Sequence, residues 1–363
     1  MYQQGLVVEG GGMRGIYSCG VLDYFLDNDI HFDYYIAASA GAANVASFLA
    51  QQHSRNYRFY MFHTRDWRYM GFRNWMKNGS FFGLEHIYDT LTNYLDPIDY
   101  DHLLNEPSAI RVAATDAETG QAHYFENSDY GRNNCRILMA SCALPAVCKP
   151  IDIGGRLYYD GGLADPIPVR RAIDEGCEKV VVVLSRPRGY QKPPESAKRA
   201  YRRILREHPS IIRALDERHL VYSDTLAYID KLEREGRAVV IAPSAEIPVS
   251  VTTKDSIELE RLYALGLADA KEWHMTTKDE IITALPREDL VSAGDKQERA
   301  RMLYANQKIS LGKAAELADL SKPDFIKYLG DNQISVFRYG SENYIHELQC
   351  DIENATVHTT ESE

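Results

Sequence analysis

Two turns built from very small residues, each set between a short apolar run and a helical pattern, constrain this chain most. The first, Gly10-Gly11-Gly12-Met13-Arg14-Gly15, follows Gly5-Leu6-Val7-Val8-Glu9 and precedes a stretch from Ile16 to Asp27. In that stretch Val21, Leu22, Phe25 and Leu26 recur at helical spacing, so the pattern predicts strand, glycine turn, helix. A second unit follows at once. Phe32-Asp33-Tyr34-Tyr35-Ile36 predicts a strand, Ala37-Ala38-Ser39-Ala40-Gly41 a tight turn, and the alanine-rich run toward Leu49 a helix. Two such units in succession imply parallel strands joined by crossover helices.

Ile110 to Ala114, Arg156 to Tyr159, Val180 to Leu184 and Ala238 to Ala242 read as further strands, with helical patterns between them such as Ser223 to Glu235. The expected fold class is therefore α/β. At 363 residues the chain exceeds one compact domain of roughly 100–200 residues. After the helical stretch Ile257 to Trp273, the run Leu285-Pro286-Arg287-Glu288-Asp289 reads as a linker. The expected division is a domain over 1–285 and a helical tail over 286–363.

A formal charge of -11 argues against a protein built mainly to coat nucleic acid. The six cysteines (Cys19, Cys135, Cys142, Cys148, Cys177, Cys350) show neither a CxxC pair nor zinc-ligand spacing and read as reduced core residues. Neither a leader nor a run of about eighteen apolar residues is seen, so the expected setting is cytoplasmic, with peripheral contact at the inner membrane face as an option.

The first turn formally satisfies G-x-G-x-x-G, the dinucleotide fingerprint, but that site also wants an acidic residue at the end of the next strand. Here the next strand ends in a small-residue turn around a serine. That turn, Ala37-x-Ser39-x-Gly41, is close to the G-x-S-x-G nucleophile elbow, with alanine in place of the first glycine. The other reading is an ordinary helix start capped by serine. The two turns explain each other: N–H groups at one helix N-terminus form an oxyanion site beside a serine on the adjacent turn. Arg14 either adds positive charge there or steadies the glycine loop through a salt bridge.

A serine needs a base. The histidines offer no catalytic setting, and His274 reads as a surface residue. Asp160, in Tyr158-Tyr159-Asp160-Gly161-Gly162-Leu163, stands at a strand end with two glycines giving close access. It reads as a base that takes the serine proton directly in a dry site, or else as a turn aspartate; Asp116 is a rival.

Taken in order, Gly10–Gly15, Ala38-Ser39-Ala40-Gly41-Ala42, Ala140-Ser141-Cys142-Ala143-Leu144-Pro145 and Asp160-Gly161-Gly162 with Pro166-Ile167-Pro168 resemble the patatin-like phospholipase family over about residues 1–275. The resemblance implies a three-layer fold with a central, mostly parallel sheet. It implies a Ser39–Asp160 dyad and an elbow of Ala37, Ala38, Ala40 and Gly41. It implies an oxyanion hole from Gly10, Gly11, Gly12, Met13, Arg14 and Gly15, and neither metal nor cofactor. The implied reaction is hydrolysis of a lipid acyl ester, of phospholipase A or lysophospholipase type, through an acyl-serine. The competing class is a catalytically silent regulatory protein acting through its tail.

Trp67, Tyr69, Phe72, Trp75, Phe81 and Phe82, among Arg65, Arg68, Arg73 and Lys77, read either as a lipid-facing cap or as aromatics packing an insertion against the sheet. The basic run Arg186 to Arg206 reads as a solvated helix face in preference to an anionic-lipid patch. In the tail, Lys308 to Leu329 reads as a helix-turn-helix with Ser321 as N-cap, similar to small prokaryotic antitoxin-like proteins over about 290–355. Beyond Tyr339 the chain carries acidic residues and no lysine or arginine, which would repel a phosphate backbone. The tail is therefore expected to dimerise or bind protein, with DNA the lesser option.

Overall fold

The computed structural model describes residues 2–277 and, further on, residues 297, 300, 301, 304, 311–318 and 320–331. The chain divides into two compact units, Met1–Pro286 and Arg287–Glu363.

The first unit is built on an eight-stranded sheet: β1 (Tyr2–Val8), β2 (Tyr34–Ala38), β3 (Ala109–Asp116), β4 (Ala122–Phe125), β5 (Ile151–Ile153), β6 (Arg156–Asp160), β7 (Cys177–Val183) and β8 (Ala238–Ile241). Its order is β5-β6-β3-β2-β1-β7-β8, with β4 paired to β3 off this path. The run β3-β2-β1-β7-β8 is parallel throughout.

Helices connect the strands: α1 (Ile16–Asp27), α2 (Ala40–Leu49), α3 (Arg55–Met61), α4 (Phe72–Asn78), α5 (Tyr100–Leu104), α6 (Arg136–Ser141), α7 (Val169–Asp174), α8 (Lys198–Ile204), α9 (Pro209–Arg234) and α10 (Ser256–Thr277). A π-helical segment covers His86–Leu95. Alternation along the strands sorts side chains between two cores. Leu6, Val8, Tyr35, Val181 and Val183 join residues of α1, α2 and α10 on one face. Val7, Tyr34, Ile36, Val180 and Val182 join Val169, Ala172, Tyr222 and Ile229 on the other. Two helical layers around one sheet make the three-layer α/β architecture that the sequence implied.

The strand ends near β3 are where expectation was incomplete. Strands β4 and β5 were not foreseen, and β6 runs antiparallel to β3. Both edges of β3 are thus in use. Along one edge lies β4, from Phe125 opposite Val112 to Ala122 opposite Thr115. The other edge is shared: β2 ends with Ala38 opposite Ala113, and β6 arrives from the other direction with Asp160 opposite Ala114.

In the second unit, α11 (Leu311–Leu317) and α12 (Lys322–Asp331) close a small core of Ala300, Tyr304, Ala314, Ala315, Ala318, Phe325 and Leu329. Ser321 Oγ accepts the Asp324 N–H at 3.2 Å, as an N-cap does. Cys350, Asp319 and the acidic stretch past Tyr339 lie outside the described residues.

Candidate active site

Ser39 sits between β2 and α2 with φ 53° and ψ -131°, outside the regions a non-glycine residue prefers. Two features hold this strained turn. A Cβ at Gly41 would lie 2.7 Å from the Glu9 carbonyl oxygen and 2.8 Å from that of Val8, so only glycine lets α2 start against the end of β1. The Ser39 N–H donates to Ser141 Oγ at 2.8 Å, and that hydroxyl donates in turn to the Ala113 carbonyl at 2.6 Å. Ala37, Ala38 and Ala40 are buried around the turn.

Ser39 Oγ donates to Asp160 Oδ2 at 2.7 Å. The carboxylate's other oxygen accepts the Gly162 N–H at 2.8 Å. Its backbone is pinned as well: the Asp160 N–H donates to the Ala143 carbonyl, and Thr115 Oγ1 donates to the Asp160 carbonyl. Asp160 is 1% exposed. Burial raises its pKa above the ordinary carboxylate value, partly offset by the Ser39 hydroxyl, the Arg218 charge and the Gly162 N–H. A buried carboxylate with a raised pKa, bonded to a serine hydroxyl on a strained turn, is equipped to accept that hydroxyl's proton.

The rival carboxylate does other work. Asp116 Oδ1 accepts the N–H groups of Glu118 and Thr119, closing the turn between β3 and β4.

In the glycine turn no protein acceptor meets the N–H groups of Gly10, Gly11 and Gly12 among the described residues. The expected run is narrowed at its far end, because the Met13 N–H donates to the Val251 carbonyl and the Arg14 N–H to that of Gly11. Gly15 belongs to the packing: a Cβ there would lie 2.5 Å from the Tyr60 hydroxyl. No salt bridge closes on Arg14 among the described residues, and its buried Nε has no hydrogen-bond partner.

Ser39 opens onto two cavities. One is mainly apolar and lined by Met13, Phe59, Tyr60, Phe82, Ile87 and Leu138 among others. The other holds Gly10, Gly11, Gly12, Arg14 and Asp160.

The aromatic segment is part buried and part exposed. Tyr69, Phe82 and Tyr88 are buried and line the apolar cavity, whereas Phe72, Trp75 and Met76 on α4 face solvent. Two expectations are corrected. His274 is half-buried, its Nδ1 3.0 Å from the Tyr24 hydroxyl, because α10 packs against α1. The run from Arg186 is not one helix face: α8 begins at Lys198, and Arg186 and Lys192 are half-buried in loop backbone beside the polar cavity. Sequence reasoning missed these two, together with Arg218 on α9 and Ser141; only the Ala140–Pro145 motif pointed at the last. Among the described residues no cluster of three His, Cys, Asp or Glu side chains is placed to hold a metal ion.

Comparison with known proteins agrees with this geometry at the family level. Residues 6–173 match the family described as patatin-like phospholipase. Residues 208–278 match a domain of unknown function, DUF6363, and residues 271–354 match UPF0175, described only as an uncharacterised family, which says nothing of an antitoxin role. The uncharacterized protein YjjU of Escherichia coli K12 is 26% identical over 66% of this chain and 68% of its own. The uncharacterized NTE family protein Rv1063c of Mycobacterium tuberculosis is 31% identical over 23% of this chain and 22% of its own. Lysophospholipase NTE1 of Debaryomyces hansenii is 21% identical over 84% of this chain and 20% of its own. The chain thus spans about a fifth of the length of these two NTE relatives. Family match, three-layer sheet and relatives together support a patatin-like phospholipase domain within the first unit of this chain.

Proposed function

We propose that the first unit is a serine hydrolase cleaving acyl esters of lipids, of phospholipase A or lysophospholipase type. The observation that carries this reading is the 2.7 Å bond from Ser39 Oγ to the buried Asp160 carboxylate, beside the N–H groups of Gly10, Gly11 and Gly12. Ser39 Oγ attacks the acyl carbonyl carbon as its proton passes to Asp160, and the carbonyl oxygen becomes an oxyanion held by those N–H groups. The intermediate collapses, the C–O bond to the alcohol breaks, and Asp160 returns the proton to the leaving oxygen. Water activated by Asp160 then attacks the acyl-serine, releasing the carboxylic acid and restoring Ser39. The apolar cavity receives the acyl chain, which favours lipid esters over small polar ones.

The exposed Phe72, Trp75 and Met76, beside Arg73 and Lys77, support peripheral contact with a membrane interface, where aromatic and basic side chains gather. Among the described residues no helix is long and apolar enough to cross a membrane. For the second unit we keep association with itself or a protein partner as the role.

The test is labelling by a fluorophosphonate. The expected outcome is modification at Ser39 alone, with Ser39→Ala folded and inactive on lipid and short-chain esters. Normal turnover by Ser39→Ala would overturn the reading in favour of a silent regulatory protein or a different site.

A further inference from the structure

Three anchors tie the two turns of the site to chain that lies well beyond Asp174. Arg218, on α9, donates from Nε to the Gly162 carbonyl at 2.7 Å. Tyr222, one turn further along α9, donates to Glu9 Oε1 at 3.1 Å, and Glu9 leads directly into the glycine turn. Past β8, the Val251 carbonyl accepts the Met13 N–H at 3.2 Å. All three anchors belong to residues 208–278, a stretch whose family match carries no function.

Arg218 bears most closely on the base. It grips the residue that grips the carboxylate: the Gly162 N–H donates to Asp160 Oδ1 at 2.8 Å, which leaves Oδ2 to accept the Ser39 hydroxyl. A Cβ at Gly162 would lie 3.1 Å from Asp160 Oδ1 and 3.5 Å from Arg218 Nη2, so carboxylate and guanidinium face the same side of one glycine. The ion pair of Arg218 goes instead to Glu195, 3.5 Å from Nη1. A direct pair would occupy the carboxylate oxygens and lower their proton affinity. Set back by one residue, the charge supports the ionised carboxylate and leaves Oδ2 to the serine.

The other groups around Asp160 offer no substitute. Cys142 and Cys148 face it from the turn after α6, and burial pushes both thiols up, so they stay neutral. Across the polar cavity stand Glu9, Arg14, Arg186, Tyr190, Lys192 and Tyr222. Of the cations, only Arg218 is hydrogen-bonded to the Asp160–Gly162 turn among the described residues. Burial raises the pKa of Asp160, and the Ser39 hydroxyl and then the Arg218 charge oppose it.

We propose that Arg218 is a positioning residue for Asp160, and that through it the segment 208–278 is an integral part of the hydrolase site. The inference rests on the hydrolase reading above. It assigns the aim and charge of the base to a helix outside the patatin-like match, which ends at residue 173.

The experiment places Arg218→Gln and Arg218→Lys in the full chain and follows hydrolysis of p-nitrophenyl butyrate. The side chain is 23% exposed on a helix surface, so both variants are expected to fold. Arg218→Gln should lower kcat about tenfold with KM little changed, the effect of one charged hydrogen bond lost behind the base. It should also move the acid limb of the kcat profile to higher pH, because the buried carboxylate loses a charge that favours its ionised form. Arg218→Lys, which keeps the charge, should return the limb toward its original place. A second readout needs no turnover: the protonated-carboxyl infrared band that Asp160→Asn abolishes, whose pH midpoint should rise in Arg218→Gln. A lowered Tm with kcat, acid limb and infrared midpoint unchanged makes Arg218 a packing contact and overturns the proposal. A midpoint that rises in a protein whose unaltered form hydrolyses no ester sustains the positioning role and defeats the hydrolase reading alone.

Discussion

Ala38 and Asp160 stand opposite consecutive residues of one strand, Ala113 and Ala114, although 122 positions separate them in sequence. Strand β2 ends on that edge of β3 just where β6 arrives from the other direction. The residue after Ala38 is Ser39, so the pairing leaves its hydroxyl facing the Asp160 carboxylate across a 2.7 Å hydrogen bond.

Replacing either carboxylate by its amide should separate catalysis from stability. Asp160→Asn is expected to lower kcat by about 10²–10⁴, since the amide cannot take the serine proton. The folded-state pKa of Asp160 is raised, chiefly by burial, so its stabilising contribution is present below the unfolded pKa and lost as pH rises through the folded one. Asn keeps that contribution at every pH. The Tm of Asp160→Asn relative to the original should therefore climb as pH rises from the ordinary carboxylate value of 3.8 toward the raised folded-state pKa, and activity of the original should fall as pH drops through that raised pKa. Asp116 has the opposite sign: burial raises its pKa, but the Thr119 and Glu118 hydrogen bonds outweigh it and hold it low. Its contribution is present above the unfolded pKa, so Asp116→Asn should lower Tm near neutral pH with turnover largely kept.

Ser141→Ala should injure the elbow without touching substrate. It strips the Ser39 N–H and the Ala113 carbonyl of their shared partner, both buried, at a cost of about 1–3 kcal/mol. Thermal unfolding should show that loss, and kcat should fall while KM changes little. Ser141→Thr, which keeps the hydroxyl, should recover part of both.

Gly12 has φ +56°, and a Cβ there would lie 2.6 Å from Val251 Cγ1 and 2.9 Å from the Val251 carbonyl oxygen. Gly12→Ala must therefore shift the turn and misdirect its N–H groups. A fall in turnover of about 10²–10³ is expected, the usual effect of losing one oxyanion donor. Slower fluorophosphonate labelling of Ser39 would report the same defect, whereas NAD binding by the original protein through this turn would restore the dinucleotide reading.

Ala43 lines the apolar cavity and is not fully buried. Ala43→Phe should shorten the space for an acyl chain, moving the optimum in a series of p-nitrophenyl esters toward shorter acids, with hydrolysis of the acetate retained. An unchanged chain-length profile would place the acyl group elsewhere.

A chain ending at Pro286 should hydrolyse soluble esters normally, because Ser39, Asp160 and the glycine turn all precede that point. Light scattering after size exclusion should then show a smaller assembly than the full chain forms. An unchanged assembly together with salt-sensitive DNA binding by the full chain alone would assign the tail to DNA.

Much of the fold was legible because its signals are local. The helix expected over Ile16 to Asp27 is α1 residue for residue, and the strand expected at Val180 to Leu184 overlaps β7. Apolar spacing and turn chemistry act over a few residues, so they survive being read one segment at a time. Strands β4 and β5 escaped notice because four and three residues carry too little periodicity. Along Arg186-Pro187-Arg188, composition marks two basic side chains without saying that Arg186 turns toward the cavity while Arg188 pairs with Glu233 on α9.

The sequence by itself determined the two strand–turn–helix units, the small residues that let Ser39 adopt φ 53°, and the identity of each group offered to the site. Tertiary structure alone decided which carboxylate meets the serine. Asp116 and Asp160 both end strands, but register along β3 turns Asp160 toward Ser39 and commits Asp116 to its own hairpin. It also decided that Arg186, Lys192 and Arg218 share a cavity with Arg14. Both outcomes depend on pairing between segments dozens of residues or more apart, whose free energy comes from burying the whole sheet and is written in no local pattern.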